Sequence, residues 1–254
     1  HATALKVTYR DDSGISSAFY HHTIDNLSTH EKAQKIITAK TALYHYTGWY
    51  DGGYTHSAIK RFLNIKNPGS KLIIGPWEHG GFHHCGPSGK GKESKFDHNA
   101  ELLSFFDTHI KDHHDSDKDN PIHYFTLGEE KWKSSKTWPP VAKSSTFYFH
   151  QNRKLSQDSL FFEQTHEVYD IDYHANTGKR SRWRSLINMP PKPVIYNYQN
   201  NNKRRYFSLK TNPLEQAVEV TGHPMITFYV SADAEDGNVF IYLEDNDNKG
   251  NVEY

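Results

Sequence analysis

Two glycine-rich loops of the chain carry an acid and a histidine 28 residues apart. Asp51 lies in the segment Gly-Trp-Tyr-Asp-Gly-Gly at 48–53, and His79 lies in Gly-Pro-Trp-Glu-His-Gly at 75–80. A carboxylate that accepts a hydrogen bond from one imidazole nitrogen fixes the ring tautomer and leaves the other nitrogen free to take a proton from a nucleophile. The pair therefore predicts the acid and the base of a catalytic triad. The alternative is structural, with Asp51 in an ordinary turn and His79 capping a helix.

Both loops follow short apolar segments that predict strands. The segment 42–46 is apolar and aromatic, 58–63 has a helical pattern, and 71–74 is Lys-Leu-Ile-Ile. A strand, a helix and a strand over about 30 residues indicate a βαβ unit with parallel strands. In open α/β sheets the loops at the carboxyl ends of the strands build the active site. We therefore expect Asp51 and His79 to lie on the same rim of the sheet.

Further α/β elements are predicted after the second loop. A helix is expected from about Asp97 and a strand at 122–127. The helix should bury one face, because apolar residues recur along it at helical spacing, namely at Ala100, Leu103, Phe106 and Ile110.

The sequence changes character after Trp-Pro-Pro at 138–140. From there it predicts short alternating strands, such as 146–149, 219–221 and 226–230, separated by Asn, Gly, Pro and Asp turns. This pattern is typical of an all-β sandwich. The expected fold class is therefore α/β followed by all-β, with a boundary near 138–142.

The two loops and their separation resemble the CocE/NonD family of serine hydrolases, relatives of the X-prolyl dipeptidyl peptidases, cocaine esterase, glutaryl-cephalosporin acylases and α-amino ester hydrolases. The likeness continues at 105–111, 128–132, 138–139, 212–214, 220–224, 230–236 and 239–245. It implies the C-terminal part of an α/β-hydrolase core followed by an incomplete jelly-roll β-sandwich. The implied domains are the end of a helical cap region at 1–41, a hydrolase part with acid and base at 42–138, and a truncated jelly roll at 139–254.

The resemblance also implies a reaction, the hydrolysis of an ester or amide through an acyl-enzyme without a cofactor. His79 would act first as base and then as acid, and Asp51 would orient it. The third residue of such a triad is a serine on a G-x-S-x-G elbow after an apolar strand. The nearest candidate, Ser16, follows the polar Tyr-Arg-Asp-Asp at 9–12 and is interpreted as a loop residue. We therefore expect the nucleophile upstream of residue 1 and predict that the 254 residues alone are inactive.

Three residues beside the acid are candidates for a substrate pocket. Trp49 and Tyr50 precede Asp51, and Gly53 stands where esterases of the family are expected to carry a pocket-lining aromatic residue. For the aromatic residues, packing of the strand ends is the alternative. Two other functions stay open for the protein: an X-prolyl dipeptidyl aminopeptidase, and a non-catalytic jelly-roll module that binds a carbohydrate or another partner.

A cluster of zinc-binding residue types surrounds the histidine, namely His79, His83, His84 and Cys85. The Gly-Gly pair at 80–81 argues against a helix that would set His79 and His83 on one face. A histidine that serves as a base is also not available as a ligand. The sequence therefore favours the absence of a metal.

The amino-acid composition restricts the classes of partner that the protein can bind. The 30 Lys and Arg residues balance 30 Asp and Glu residues, which excludes nucleic-acid binding by bulk charge. No apolar run approaches the roughly 18 residues of a membrane helix. The single cysteine excludes internal disulfides and favours a reducing compartment, so a cytoplasmic location is expected. The expected partner is a small-molecule ester or amide, with no nucleic acid and no membrane.

Overall fold

The computed structural model describes residues 23, 26, 28–111, 120–140, 143–159, 166–174, 180–186, 192–195, 206–235, 237–246 and 252–253. Its α-helices are α1 (Ala33–Ala39), α2 (Thr55–Asn64) and α3 (His98–Ile110). Its strands are β1 (Tyr44–Gly48), β2 (Lys71–Gly75), β3 (His83–His84), β4 (Lys92–Glu93), β5 (Ile122–Thr126), β6 (Lys131–Ser135), β7 (Tyr148–His150), β8 (Lys154–Ser156), β9 (Asp245–Asn246) and β10 (Val252–Glu253). Short 3-10 helices lie at Thr29–Lys32, Gln151–Arg153 and Arg182–Leu186.

A four-stranded sheet in the order β1-β2-β5-β6 forms the framework of the site. β2 pairs in parallel with β1 on one side and with β5 on the other, and β6 runs antiparallel to β5. The predicted βαβ unit is present as β1, α2 and β2. β2 reads as a continuous apolar run because both faces are covered, and Leu72, Ile73 and Ile74 are buried.

Helix α2 covers one face of the sheet. Its buried residues Ala58 and Ile59 join a core cluster with Leu72 and Ile74 of β2. The Thr55 hydroxyl lies 2.7 and 2.8 Å from the carbonyl oxygens of Gly48 and Asp51 and shares its one hydrogen between them, which connects the start of the helix to the loop after β1. The acid of the predicted site therefore lies in a loop that is bonded to the helix following it.

Helix α3 packs against strand β1, and the prediction of its buried face was wrong. It begins as predicted, with the Asp97 side chain accepting from the amide of Ala100 at 2.9 Å. The residue that it buries, however, is Phe105. The four apolar residues expected at the core, Ala100, Leu103, Phe106 and Ile110, are exposed.

The face of α3 that does meet the sheet is partly polar, for a reason that lies in β1. The hydroxyl groups of Tyr44 and Tyr46 bond to Glu101 and His98 of the helix, and the Tyr44 ring packs against Phe105 at 4.8 Å between centroids. Because the two tyrosine hydroxyls need hydrogen-bond partners, the face of α3 that packs on β1 is the one with Glu101 and His98.

The β segments after residue 140 are less regular than predicted. The predicted strand at 146–149 is present as β7, which forms a hairpin with β8. The predicted strands at 219–221 and 226–230 have no ladder partner among the described residues, and large apolar side chains in them, such as Val220, Tyr229 and Val230, are exposed. An alternating pattern specifies a strand only where a neighbour supplies its backbone bonds. The jelly roll and the domain bounds 1–41, 42–138 and 139–254 therefore stay predictions.

In the part of the chain that is described, no helix has both the length and the apolar character needed to cross a membrane.

Candidate active site

The loops after β1 and β2 are bonded to each other through their backbones. The amide of Trp49 donates to the carbonyl of Gly75 at 2.9 Å, and the amide of Tyr50 donates to the carbonyl of Trp77 at 3.2 Å. Neighbouring parallel strands that end in register bring their following loops to one rim. The segment with the acid and the segment with the histidine are therefore held side by side.

Two glycines at the strand ends make room for the indole of Trp77, which is 2% exposed. A Cβ added at Gly48 would collide with the Trp77 carbonyl oxygen, and one added at Gly75 would collide with its indole ring. The ring is also stacked on Tyr46 at 5.9 Å and packed against Phe96 at 5.0 Å. Trp77 therefore has one position available, and it fixes the chain two residues before His79.

Asp51 and His79 approach each other on this rim. Nδ1 of His79 lies 3.2 Å from Oδ2 of Asp51. The Asp51 side chain is 6% exposed and the His79 side chain is 45% exposed, so the carboxylate lies beneath the imidazole. Since a carboxylate only accepts, Nδ1 carries the proton and donates it to Asp51. In the neutral imidazole Nε2 is then the acceptor nitrogen, and it has no hydrogen-bond partner in the described part of the chain.

Tyr54 is a site residue that sequence reasoning missed. Its ring stacks on the His79 imidazole, with 4.9 Å between centroids and 23° between planes, while the side chain is half exposed. It lies three residues after Asp51, at the N-cap position directly before α2, and no motif in the sequence points to it. Only the fold brings Tyr54 to His79, where the tyrosine ring restricts rotation of the imidazole.

A cavity of about 80 Å³ lies beside the pair, lined by Tyr46, Gly48, Asp51, Trp77, His79 and His98 among others. Since a water molecule takes about 30 Å³ of liquid, this space suits small groups such as water. A larger cavity of about 470 Å³ lies at 151–154, 208 and 210, and its lining includes neither Asp51 nor His79. This larger cavity therefore lies apart from the candidate site.

The three predicted pocket residues lie close to the acid in different surroundings. Trp49 packs against Trp138 at 6.1 Å, and its indole nitrogen donates to the Phe125 carbonyl at 2.7 Å. Tyr50 is buried in a cluster with Cys85 and Val194. Gly53 is exposed in the turn before α2. Their assignment to a substrate pocket stays a prediction, and Ser16 lies outside the described residues.

The zinc-type residues near His79 are bonded within the protein. His83 Nδ1 and the thiol of Cys85 both contact the buried carboxylate of Glu78, and His84 pairs with Glu130 at 3.2 Å. Burial, with the Glu78 charge adding to it, raises the pKa of Cys85 to about 12, so it is a thiol and not the thiolate that metals bind. Within the described ranges no group of three or more His, Cys, Asp or Glu side chains is arranged to hold a metal ion.

Two family models match most of the chain. Residues 114–254 match the X-Pro dipeptidyl-peptidase C-terminal non-catalytic domain, which is more than half of the chain. Residues 4–81 match the X-Pro dipeptidyl-peptidase (S15 family). The second match includes Asp51 and His79.

Individual relatives are similar over different shares of the chain. Proteins of Mycobacterium bovis and Mycobacterium tuberculosis that carry the name serine esterase are 36% identical over 270 aligned residues, which is 100% of this chain and 43% of theirs. A cocaine esterase of Rhodococcus is 27% identical over 113 residues, covering 40% of this chain and 19% of that protein. The chain thus spans less than half the length of the curated relatives that it matches.

Solved structures show weaker likeness. An α-amino acid ester hydrolase gives a TM-score of 0.39 at 20% identity, over 50% of this chain and 24% of that one. An aminopeptidase of a marine-sediment Thaumarchaeota archaeon gives 0.45 at 20% identity, over 61% and 26%. The sequence matches identify the family: the chain belongs to the CocE/NonD family, which unites X-prolyl dipeptidyl peptidases with cocaine-esterase-like serine hydrolases.

Proposed function

We propose that the protein is a serine hydrolase of small esters or amides that works through an acyl-enzyme, with His79 as general base and acid. The observation that carries the proposal is the bond from His79 Nδ1 to the buried carboxylate of Asp51 at 3.2 Å. Family membership and relatives named serine esterase support the same reaction class.

The proton chemistry follows from the geometry of the pair. Asp51 holds the tautomer in which Nε2 of His79 is unprotonated, so Nε2 takes the proton of a serine hydroxyl as that oxygen attacks the acyl carbon. The imidazolium formed is stabilised by the Asp51 carboxylate, and it then gives the proton to the departing alcohol or amine. Water repeats the cycle on the acyl-enzyme, with His79 again as base.

The nucleophile is proposed to lie upstream of residue 1, in the longer protein. The curated relatives are more than twice as long as the span they share with this chain, which leaves room for a serine-bearing strand and turn. In the same proposal residues 1–41 end a helical cap region, 42–138 complete the hydrolase core and 139–254 form part of a jelly roll. The isolated 254 residues are then inactive, because His79 has no hydroxyl to activate.

Peptidase activity is a second candidate, because residues 4–81 match the S15 family model. A panel that pairs a nitrophenyl acyl ester with an Xaa-Pro nitroanilide separates the two. We expect turnover of the ester, since the relatives that cover the whole chain are named esterases. Preferential turnover of the Xaa-Pro substrate would assign the peptidase instead.

The reaction class is tested by fluorophosphonate labelling of the polypeptide that carries this chain, followed by peptide mapping. We expect one labelled serine outside residues 1–254, and loss of labelling in His79→Ala with an unchanged melting temperature. His109→Ala, which alters a histidine in the last turn of α3, is the matched control. Labelling at Ser16 would contradict the location of the nucleophile. Labelling that survives in folded His79→Ala would contradict the role of His79.

A further inference from the structure

Glu78, the residue directly before His79, is a carboxylate with 0% exposure. One of its oxygens accepts from the amide of Phe82 at 3.1 Å and from Nδ1 of His83 at 3.2 Å. The other accepts from the amide of His83 at 3.1 Å and lies 3.6 Å from the thiol of Cys85. All four partners are donors in the segment 82–85, so both oxygens act as acceptors.

These four contacts make the conformation of the segment 78–85 depend on the buried Glu78 carboxylate. A buried carboxylate is costly unless its lone pairs are satisfied, and here the chain folds back to supply the donors within seven residues. We call residues 78–85 the base loop. Movement of the base loop away from this geometry would leave the Glu78 charge buried without donors, so the loop has one favourable conformation.

His98, the first residue of α3, holds the same loop from outside. Its Nε2–H donates to the carbonyl of Gly81 at 2.8 Å, while its Nδ1 accepts from the Tyr46 hydroxyl at 2.6 Å. Gly81 has φ of +71°, and a Cβ there would lie 3.0 Å from the His98 ring. The contact therefore needs both a glycine in the loop and a hydrogen-bonding ring on the helix.

We infer that Glu78 and His98 are positioning residues for His79, a role that rests on the proposed function. Neither touches the reacting atoms. Glu78 fixes the peptide on one side of His79, and His98 fixes the peptide two residues beyond it. With both in place, His79 Nδ1 stays within reach of Asp51 and keeps its proton, which leaves Nε2 as the base.

The inference predicts a change of tautomer when an anchor is removed. A neutral imidazole with no partner carries its proton mainly on Nε2, and this form cannot accept a proton there. Glu78→Gln replaces one acceptor oxygen by an NH₂ group that faces N–H donors. His98→Phe keeps a ring against Trp77 but loses both hydrogen bonds. Each change loosens the base loop and moves His79 towards the inactive tautomer.

The experiment uses the polypeptide that carries this chain, labelled with ¹⁵N-histidine, with the His79 signal assigned by its loss in His79→Gln. We expect a Nδ1-protonated His79 in the parent protein and a shift towards Nε2-protonated His79 in Glu78→Gln and His98→Phe. Ester turnover should fall through kcat, on the order of 100-fold, with KM unchanged, because the misplacement affects the reacting geometry alone. Glu93→Gln and His109→Phe, on the exposed β4 strand and the last turn of α3, are the matched controls and should change neither readout.

The result that overturns the inference is a folded Glu78→Gln or His98→Phe protein in which His79 keeps the Nδ1 proton. If Glu78→Gln does not fold, His98→Phe decides, since it changes a partly buried residue and keeps the ring packing. Absence of any hydrolysis in the parent protein would instead contradict the proposed function, while the tautomer measurement would still decide whether Glu78 and His98 position His79.

Discussion

The substitution Gly75→Ala tests whether the packing of Trp77 supports the site. A Cβ at Gly75 would lie well under 3.0 Å from three carbons of the Trp77 ring. The ring cannot yield easily, because it is 2% exposed and has Phe96 at 5.0 Å and Trp132 at 5.7 Å. The added methyl group must therefore displace Trp77 or strand β2 itself.

The expected cost follows from two opposing effects. Overpacking of a core costs about 1–3 kcal/mol. Replacing Gly by Ala also lowers the conformational entropy of the unfolded chain, which stabilises the folded state by about 0.4–1 kcal/mol. We therefore expect Gly75→Ala to lower the free energy of unfolding by about 1–2 kcal/mol. Ester turnover should fall as well, since the Trp77 carbonyl accepts from the Tyr50 amide and so connects the two loops.

Unfolding in urea is monitored by tryptophan fluorescence. Near-UV circular dichroism of the native protein reports the packing of its aromatic side chains. Gly237→Ala is the matched control, because a Cβ there meets nothing within 4 Å, and it should be neutral or slightly stabilising. A Gly75→Ala protein as stable as the parent, with the same near-UV spectrum, would refute the claim that Trp77 is immobile.

Two further predictions concern buried titratable groups. Burial, with the nearby charge of Arg61, lowers the pKa of His45 to about 4. In the unfolded chain His45 has a pKa near 6.5, so between pH 6.5 and 4 the unfolded state binds a proton that the folded state does not. The free energy of unfolding therefore falls by up to about 3 kcal/mol as the pH drops through this range, and it is unaffected by His45 above it. We expect the urea midpoint to fall less between pH 8 and pH 4 in His45→Gln than in the parent. Burial raises the pKa of Cys85 to about 12, so iodoacetamide at pH 8 should modify it only after unfolding, and rapid alkylation of the native protein would contradict its burial.

The framework of the site could be predicted from the sequence because its signals are local. The Ile-rich run of β2, the glycines that end β1 and β2, and the Asn-Pro-Gly turn between α2 and β2 each reflect a backbone requirement. Parallel pairing then brings the loops with Asp51 and His79 to one rim without further information.

The face of α3 could not be predicted, because periodicity counts apolar residues and ignores partners. Leu103 and Phe106 give the stronger apolar stripe, yet the helix turns Phe105 and His98 to the sheet. The reason is the pair of tyrosine hydroxyls on β1, which need hydrogen-bonding partners that no apolar stripe supplies. The two tyrosines of β1 therefore determine which face of α3 packs on the sheet.

The strands after residue 140 illustrate the same limit. The run 226–230 alternates well, but its side chains stay exposed where no described strand pairs with it. Strand formation depends on a neighbouring strand, often one far away in sequence, whereas a turn depends on its own residues.

Glu78 was missed for a third reason. A glutamate between Trp77 and His79 resembles an ordinary surface charge, and its four donors lie in a segment that shows no regular pattern. Only the folded loop reveals that the carboxylate is buried. The signal available in the sequence was its position three residues after the buried apolar strand β2, beside Trp77, where an unpaired charge is rare.

The central claim, that Asp51 sets the tautomer of a catalytic His79, is tested most directly by the rate of fluorophosphonate labelling in Asp51→Asn. The amide holds the ring in the wrong tautomer, so the rate should fall by about four orders of magnitude while the protein stays folded. Asp107→Asn, at an exposed pair with Lys111, is the matched control and should label at the parental rate. A folded Asp51→Asn protein that labels within tenfold of the parental rate would contradict the account.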